Sequence, residues 1–243
     1  MAKVTSLIKF QGSIDGVTID KNGTVKMAAK SRSITSNRTK ENNSEFAIAA
    51  KQGKVIRDAL RVLNVGDKFL TSRMLQVVRS GIALDDTNER GKRILSNNEA
   101  KTVLKGFELN NNANFLSVAP IKINFTTGAT ETTIDIKNLL DGDLTLKDLY
   151  SPEGTTHAQA FGIAAIIDIS PEVLQVKDII VAQSEIATKS EPISLPNLVY
   201  EAPTTELVII ALAIKFYQQV NSEFYDLQNG AYDVAKILDI YST

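Results

Sequence analysis

Cysteine and tryptophan are both absent from the 243 residues, and histidine occurs once, at His157. Without cysteine there are no disulfide staples, no thiolate metal ligands and no cysteine nucleophile. A single imidazole leaves His157 as the sole candidate for a triad base or a histidine zinc ligand, and zinc there would need carboxylates as its other ligands. His157 follows Ser-Pro-Glu-Gly-Thr-Thr and precedes an apolar run, so a loop or strand-edge histidine is the plainer reading. Long hydrophobic runs are lacking as well. The longest, residues 207–214, falls far short of the roughly 20 residues of a membrane helix, and no membrane insertion is expected. Lys9 interrupts the apolar residues near the start, so the expectation is a chain made in the cytoplasm without a signal peptide. Its final place is then an intracellular assembly or a virion.

Arginine is missing after Arg93. Residues 1–108 hold 20 Lys and Arg against 11 Asp and Glu, whereas residues 109–243 hold 7 against 17. The net formal charge of −1 therefore conceals a basic half and an acidic half. Such halves can meet within one molecule or between neighbouring copies in a head-to-tail array.

What is present reads as an α+β chain in three parts. Residues 1–41 are expected to form a β-hairpin and an extended arm. Asn22-Gly23, flanked by Val17, Ile19, Val25 and Met27, marks the hairpin turn. Residues 28–41 have no sustained period and no aromatic, so they are assigned to the arm. A helical layer over 42–106 follows. Asn42 and Glu45 have the spacing of a capping box, and Phe46, Ala49, Ala50, Gly53, Ile56, Leu60 and Leu63 make one apolar stripe. Gly53 on that stripe implies close packing of another backbone. A second helix is expected at about 71–83, and 85–106 reads as one or two short helices broken around 96–98. From residue 107 the period changes to two, with Ile121, Ile123, Phe125 and Ile134, Ile136 alternating. Longer apolar runs at 157–170, 173–187 and 205–219 have the character of central strands. The run at 205–219 could instead be a buried helix, since periodicity does not separate the two, and Leu207-Val208-Ile209-Ile210 favours strand. Residues 107–243 are therefore expected to be an antiparallel β-sandwich, Ig-like or jelly-roll-like.

The segments "AKVTSLIKFQGSIDGVT" and "ENNSEFAIAAKQGKVIRDAL" resemble an uncharacterised family of bacterial and phage-associated proteins. The resemblance covers residues 1–106, with the β-rich half similar only in pattern. It implies an N-terminal motif, helices and an Ig-like sandwich, and it brings no activity or catalytic residues.

Candidate chemistry is sparse. Asp141, Asp143 and Asp148 open like a calcium loop but lack its regular carboxylates and closing glutamate, so a solvated turn is expected. Gly12 and Gly16 frame no phosphate-binding motif. Arg73, Arg79, Arg90 and Arg93 are dense enough to share a basic surface, yet no stacking aromatics accompany them, and nucleic acid is an unlikely partner. No catalytic, cofactor or metal residue is assigned, and an enzyme is not expected.

The expected function is that of a structural subunit assembling with other copies of itself, and with other structural proteins of a virion, tail or filament. A polar arm cannot offset its own ordering entropy by burial, and an extended segment can add as a strand to a neighbour's sheet edge. The expected interface residues are Val4, Leu7, Ile8, Phe10, Val17, Ile19, Val25, Met27, Arg32, Ile34, Arg38 and Lys40. The alternative is a ligand- or glycan-binding sandwich using loops 149–157 and 194–205, with Tyr150 and Tyr200 as stacking platforms.

Overall fold

The structure, a computed structural model, describes residues 2–3, 11–27, 36–169, 174–201 and 206–241. The chain divides into two compact units, Met1–Lys40 and Glu41–Thr243.

The first unit holds a small antiparallel sheet of β1 (Ala2–Lys3), β2 (Gly12–Ile14), β3 (Val17–Ile19) and β4 (Thr24–Met27), in the order β1-β4-β3-β2. Two different turns build it. Asp15 and Gly16 both have positive φ, 46° and 78°, which is the two-residue hairpin turn whose twist suits the flanking strands. The β3–β4 connection, residues 20–23, is longer than a two-residue Asn-Gly turn. Asp20 accepts hydrogen bonds from the amides of Asn22 and Thr24, each at 2.9 Å, and Gly23 takes the left-handed position at φ 75°.

The second unit is layered. Its large sheet contains β7 (His157–Ile169), β8 (Leu174–Gln183), β10 (Leu207–Val220), β11 (Glu223–Asp226) and β12 (Val234–Tyr241). The order is β11-β10-β7-β8, with β12 also paired to β10, and every pairing is antiparallel. A smaller antiparallel sheet follows the order β5-β6-β9, from β5 (Lys122–Thr127), β6 (Glu131–Lys137) and β9 (Leu198–Val199). The helices are α1 (Asn37–Leu60), α2 (Leu70–Ile82), α3 (Asn97–Leu104) and the single-turn α4 (Phe115–Val118). The protein is thus α+β with a β-sandwich-like part.

The run at 207–216 explains the layering. Leu207, Ile209, Ala211 and Ala213 join one core with Ile56, Leu60, Met74, Val78 and Leu104 of the helices. Val208, Ile210, Leu212, Ile214 and Phe216 join a second core with Ile134, Ile136 and Leu198 of the small sheet. Successive side chains of a strand point to opposite faces, so a strand covered on both faces is apolar throughout. The continuous run predicts a central strand, and β10 is one. The helical layer and the large sheet therefore share a core within one compact unit. Among the described residues, no helix is long and apolar enough to cross a membrane.

Two helix packings turn on glycine. A Cβ at Gly53 of α1 would lie 3.6 Å from Met74 Cγ and 3.9 Å from Leu75 Cα of α2, in accord with the close approach expected there. At Gly81 of α2 a Cβ would overlap Leu95 Cδ1 and sit 2.9 Å from Val103 Cγ2. Leu95 is fully buried and has little room to give. Gly81→Ala is expected to lower stability by at least about 1 kcal/mol despite alanine's better helix propensity, since overpacking outweighs propensity here. Urea denaturation checks this, and a gain in stability would show that the α2–α3 contact yields freely.

One boundary differs from expectation. α1 begins at Asn37, so 37–41 are helical and Arg38 and Lys40 lie in its first turn, not in an extended arm. Residues 36–40 are all exposed. Extending an existing helix adds a hydrogen bond per residue without a nucleation cost, so these turns need no apolar stripe. Asn42 is consequently no cap. Glu45 Oε1 instead accepts from the Gly91 amide at 2.9 Å, and Ser44 Oγ donates to the Gly91 carbonyl at 2.6 Å. The apparent capping box is a tertiary tie between α1 and the 85–95 loop.

Candidate interaction surfaces

Of the twelve residues expected at an interface, Val4, Leu7, Ile8, Phe10, Arg32 and Ile34 lie outside the described residues. The other six are placed. Register pairs Val17 with Met27 and Ile19 with Val25, while Thr18 pairs with Lys26 and Ser13 with Thr18. Directly opposed residues share a face of an antiparallel sheet. Val17, Ile19, Val25 and Met27 therefore line one face, and Ser13, Thr18 and Lys26 the other, where Ser13 and Thr18 hydroxyls meet at 2.9 Å. The segregation by face is complete among these side chains. None of the four apolar residues is buried, and Met27 is 84% exposed. Residues 1–40 carry eight Lys and Arg against two Asp. The Thr24 amide, with help from Asn22 and Lys26, holds one of those two carboxyls, Asp20, below its ordinary value despite the opposing effect of desolvation. Arg38 and Lys40 do not belong to this sheet; they are exposed on α1.

The loops of the alternative reading are placed differently. Tyr150 is 72% exposed, but Tyr200 is buried, with its hydroxyl bonded to those of Tyr241 and Thr132. Tyr200 anchors its loop to the core and offers no stacking face. His157 opens β7, with Nδ1 2.8 Å from Thr156 Oγ1 and its ring edge-on to Phe224, 5.0 Å between centroids. Residues 202–205 of the second loop lie outside the described residues.

The remaining candidates are committed elsewhere. Asp141 pairs with Lys122 at 2.7 Å, and Asp148 accepts from both the amide and the hydroxyl of Thr145, so neither faces a shared ion. Among the described residues, no three or more His, Asp or Glu are grouped to hold a metal. Arg73 is not part of an open basic surface. Its guanidinium donates to Asp67 and to the carbonyls of Glu108 and Leu109, each at 2.7 Å, and lies over the Phe107 ring. Burial opposes ionisation of Asp67, but the amides of Asn111 and Phe69, with Arg73, outweigh it and hold the carboxyl low.

Two clefts had no marker in the sequence. One of about 420 Å³ is lined by Arg57 and Arg61 on one side of the charge balance and by Asp58, Asp67, Asp226 and Asp233 on the other. Burial pushes Asp233 up to about 6, with Asp226 adding to the effect while the Phe216 amide and Lys215 oppose it. The second cleft, about 470 Å³, has Ile48, Ile94 and Leu174 in its lining beside the exposed Lys51 and Lys92. Its neighbouring loop is organised by Asp85, which accepts from the amides of Thr87, Asn88 and Ile94 and from the Asn88 side chain. Burial opposes that carboxylate, and these donors together hold it below its ordinary value.

No family model matches this chain, and neither a curated protein nor a solved structure matches it. The resemblance drawn for residues 1–106 rests on the quoted residues alone.

Proposed function

We propose that this protein is a non-enzymatic structural subunit that assembles with copies of itself, using its N-terminal sheet as the docking element. The observation that supports this most is the face formed by Val17, Ile19, Val25 and Met27, which is wholly apolar, with Met27 exposed and the other three only part-buried. An amphipathic sheet gains stability by covering its apolar face, and a two- to four-residue-stranded sheet without such cover is marginal in water. A second copy supplies the cover with favourable charge. The docking unit is strongly basic, and residues 109–243 are strongly acidic. Contacts of unlike surfaces are heterologous and run on as rings or filaments. The order of the sheet leaves β2 as an outer strand, and edge pairing can extend the contact.

The test is the mass of the full-length protein by light scattering across concentration, with negative-stain imaging of the same samples. Ordered oligomers are expected for the wild type. The double variant Val25→Asp, Met27→Asp is expected to shift the mass toward the 26.5 kDa monomer with an unchanged circular dichroism spectrum. A wild type that stays monomeric at every concentration would sink the reading.

A further inference from the structure

The turn after β6 presents two leucines to water. Leu139 is 57% exposed and Leu140 91%, while Leu144 and Leu146 just beyond are buried in the core. The turn is not slack. Asn138 Oδ1 accepts from the amides of Leu140 and Gly142 at 2.9 and 3.0 Å, and Asn138 Nδ2 donates to the Asp143 carbonyl at 3.2 Å. Backbone bonds join the Asn138 amide to the Gly142 carbonyl and the Asp141 amide to the Asn138 carbonyl. Lys122 fixes Asp141 from the neighbouring strand. A tip held this firmly loses little conformational freedom on docking, so its apolar burial is not consumed by ordering.

The same chain carries a receptor of matching character. The 470 Å³ cleft is apolar at Ile48, Ile94 and Leu174, and the exposed Lys51 adds positive charge, Lys92 being paired with Glu89 at 3.1 Å. The leucine tip is followed by Asp141 and Asp143, both exposed. We propose that Leu139 and Leu140 of one copy insert into this cleft of the next, with Asp143 facing Lys51. An apolar projection complementary to a pocket elsewhere on the same molecule makes a heterologous contact, and each added copy leaves one tip and one cleft free. The inference rests on the self-assembly reading but uses different residues from the N-terminal sheet. Charge selects the occupant: Lys51 favours the acidic tip over a basic segment such as the N-terminal unit.

The absence of cysteine makes the test clean. Full-length protein carrying both Leu140→Cys and Lys51→Cys is expected to give a ladder of disulfide-linked oligomers on mild oxidation. Mixing the two single variants should give a covalent dimer in excess of either alone. Leu140→Asp, at an exposed position that leaves the fold intact, should weaken association at least tenfold by light scattering. If the wild type assembles while Leu140→Asp assembles with the same concentration dependence and no ladder forms, the tip-in-cleft contact is overturned and the self-assembly reading stands. Efficient linkage of Leu140→Cys alone would also overturn it, because that is a symmetric tip-to-tip contact. A wild type monomeric at all concentrations, with no ladder, would remove both.

Discussion

Leucine in place of Gln52 is expected to lower the unfolding free energy by about 2–5 kcal/mol, as two buried backbone groups lose their partners. Gln52 is 2% exposed in the middle of α1. Its Nε2 donates to the Ile169 carbonyl at the end of β7, and its Oε1 accepts from the Leu95 amide, both at 3.0 Å. One side chain thus ties the helix to the large sheet and to the segment leading into α3. Leucine has a similar helix propensity and similar bulk, so neither propensity nor a large cavity confounds the result. Glutamate in its place keeps the acceptor for Leu95 but sets a carboxylate against the Ile169 carbonyl, and should also be markedly destabilising. Urea denaturation provides the measurement. A Gln52→Leu midpoint equal to that of the wild type, with the same slope, would mean that water or rearrangement satisfies both groups and that the bridge contributes nothing.

Asp233→Asn is expected to stabilise the protein near pH 7 by about 2–3 kcal/mol, the free-energy equivalent of a carboxyl raised from 3.8 to about 6. Asp233 is 2% exposed, and one of its oxygens accepts from the Phe216 amide at 3.1 Å, a bond that asparagine retains. Lys215 favours the ionised form and Asp226 disfavours it, but burial dominates. The folded state therefore holds this proton more tightly than the unfolded chain. The stability it contributes is fully present below about 3.8 and is lost as pH rises through about 6. Asp67 and Asp85 run the other way. Their carboxyls are lowered, so their contribution is present above 3.8 and disappears on acidification through their folded values. The difference between wild type and Asp233→Asn isolates the single group. It should be small at pH 4 and grow to its full size by pH 7. A difference that does not vary with pH would show that Asp233 titrates normally in the folded protein.

Legibility differed from element to element. Local signals were sufficient where one face decides the outcome, as in α2 and in the pairing of Ile123 with Ile136 and Phe125 with Ile134. In β10, buried on both faces, β-branched residues favoured strand where the period did not. Asp15-Gly16 is as strong a hairpin signal as Asn22-Gly23, because aspartate and glycine both tolerate the positive φ that the turn requires. The first turns of α1 were missed for a physical reason. A fully exposed helical segment has no apolar periodicity to display, and its polar residues also suit an arm. Gln52 did leave a trace: it falls between Ala49 and Ile56 on the buried stripe of α1. A polar residue there needs partners, but the partners lie 43 and 117 residues away, and no local pattern names them.

The sequence by itself determined the α+β class, the central strand that is apolar on both faces, the charge asymmetry between the halves and the absence of thiol chemistry. Each follows from residue type and short-range period. Tertiary structure alone decided that the helices and the small sheet cover opposite faces of the large one, that Tyr200 is an anchor while Tyr150 is exposed, and that Arg73 is spent on two carbonyls and Asp67. It also decided which hydrophobic residues stay in water. Met27 and Leu140 look in sequence like any buried methionine or leucine, and burial is a property of what packs against a side chain, not of the side chain.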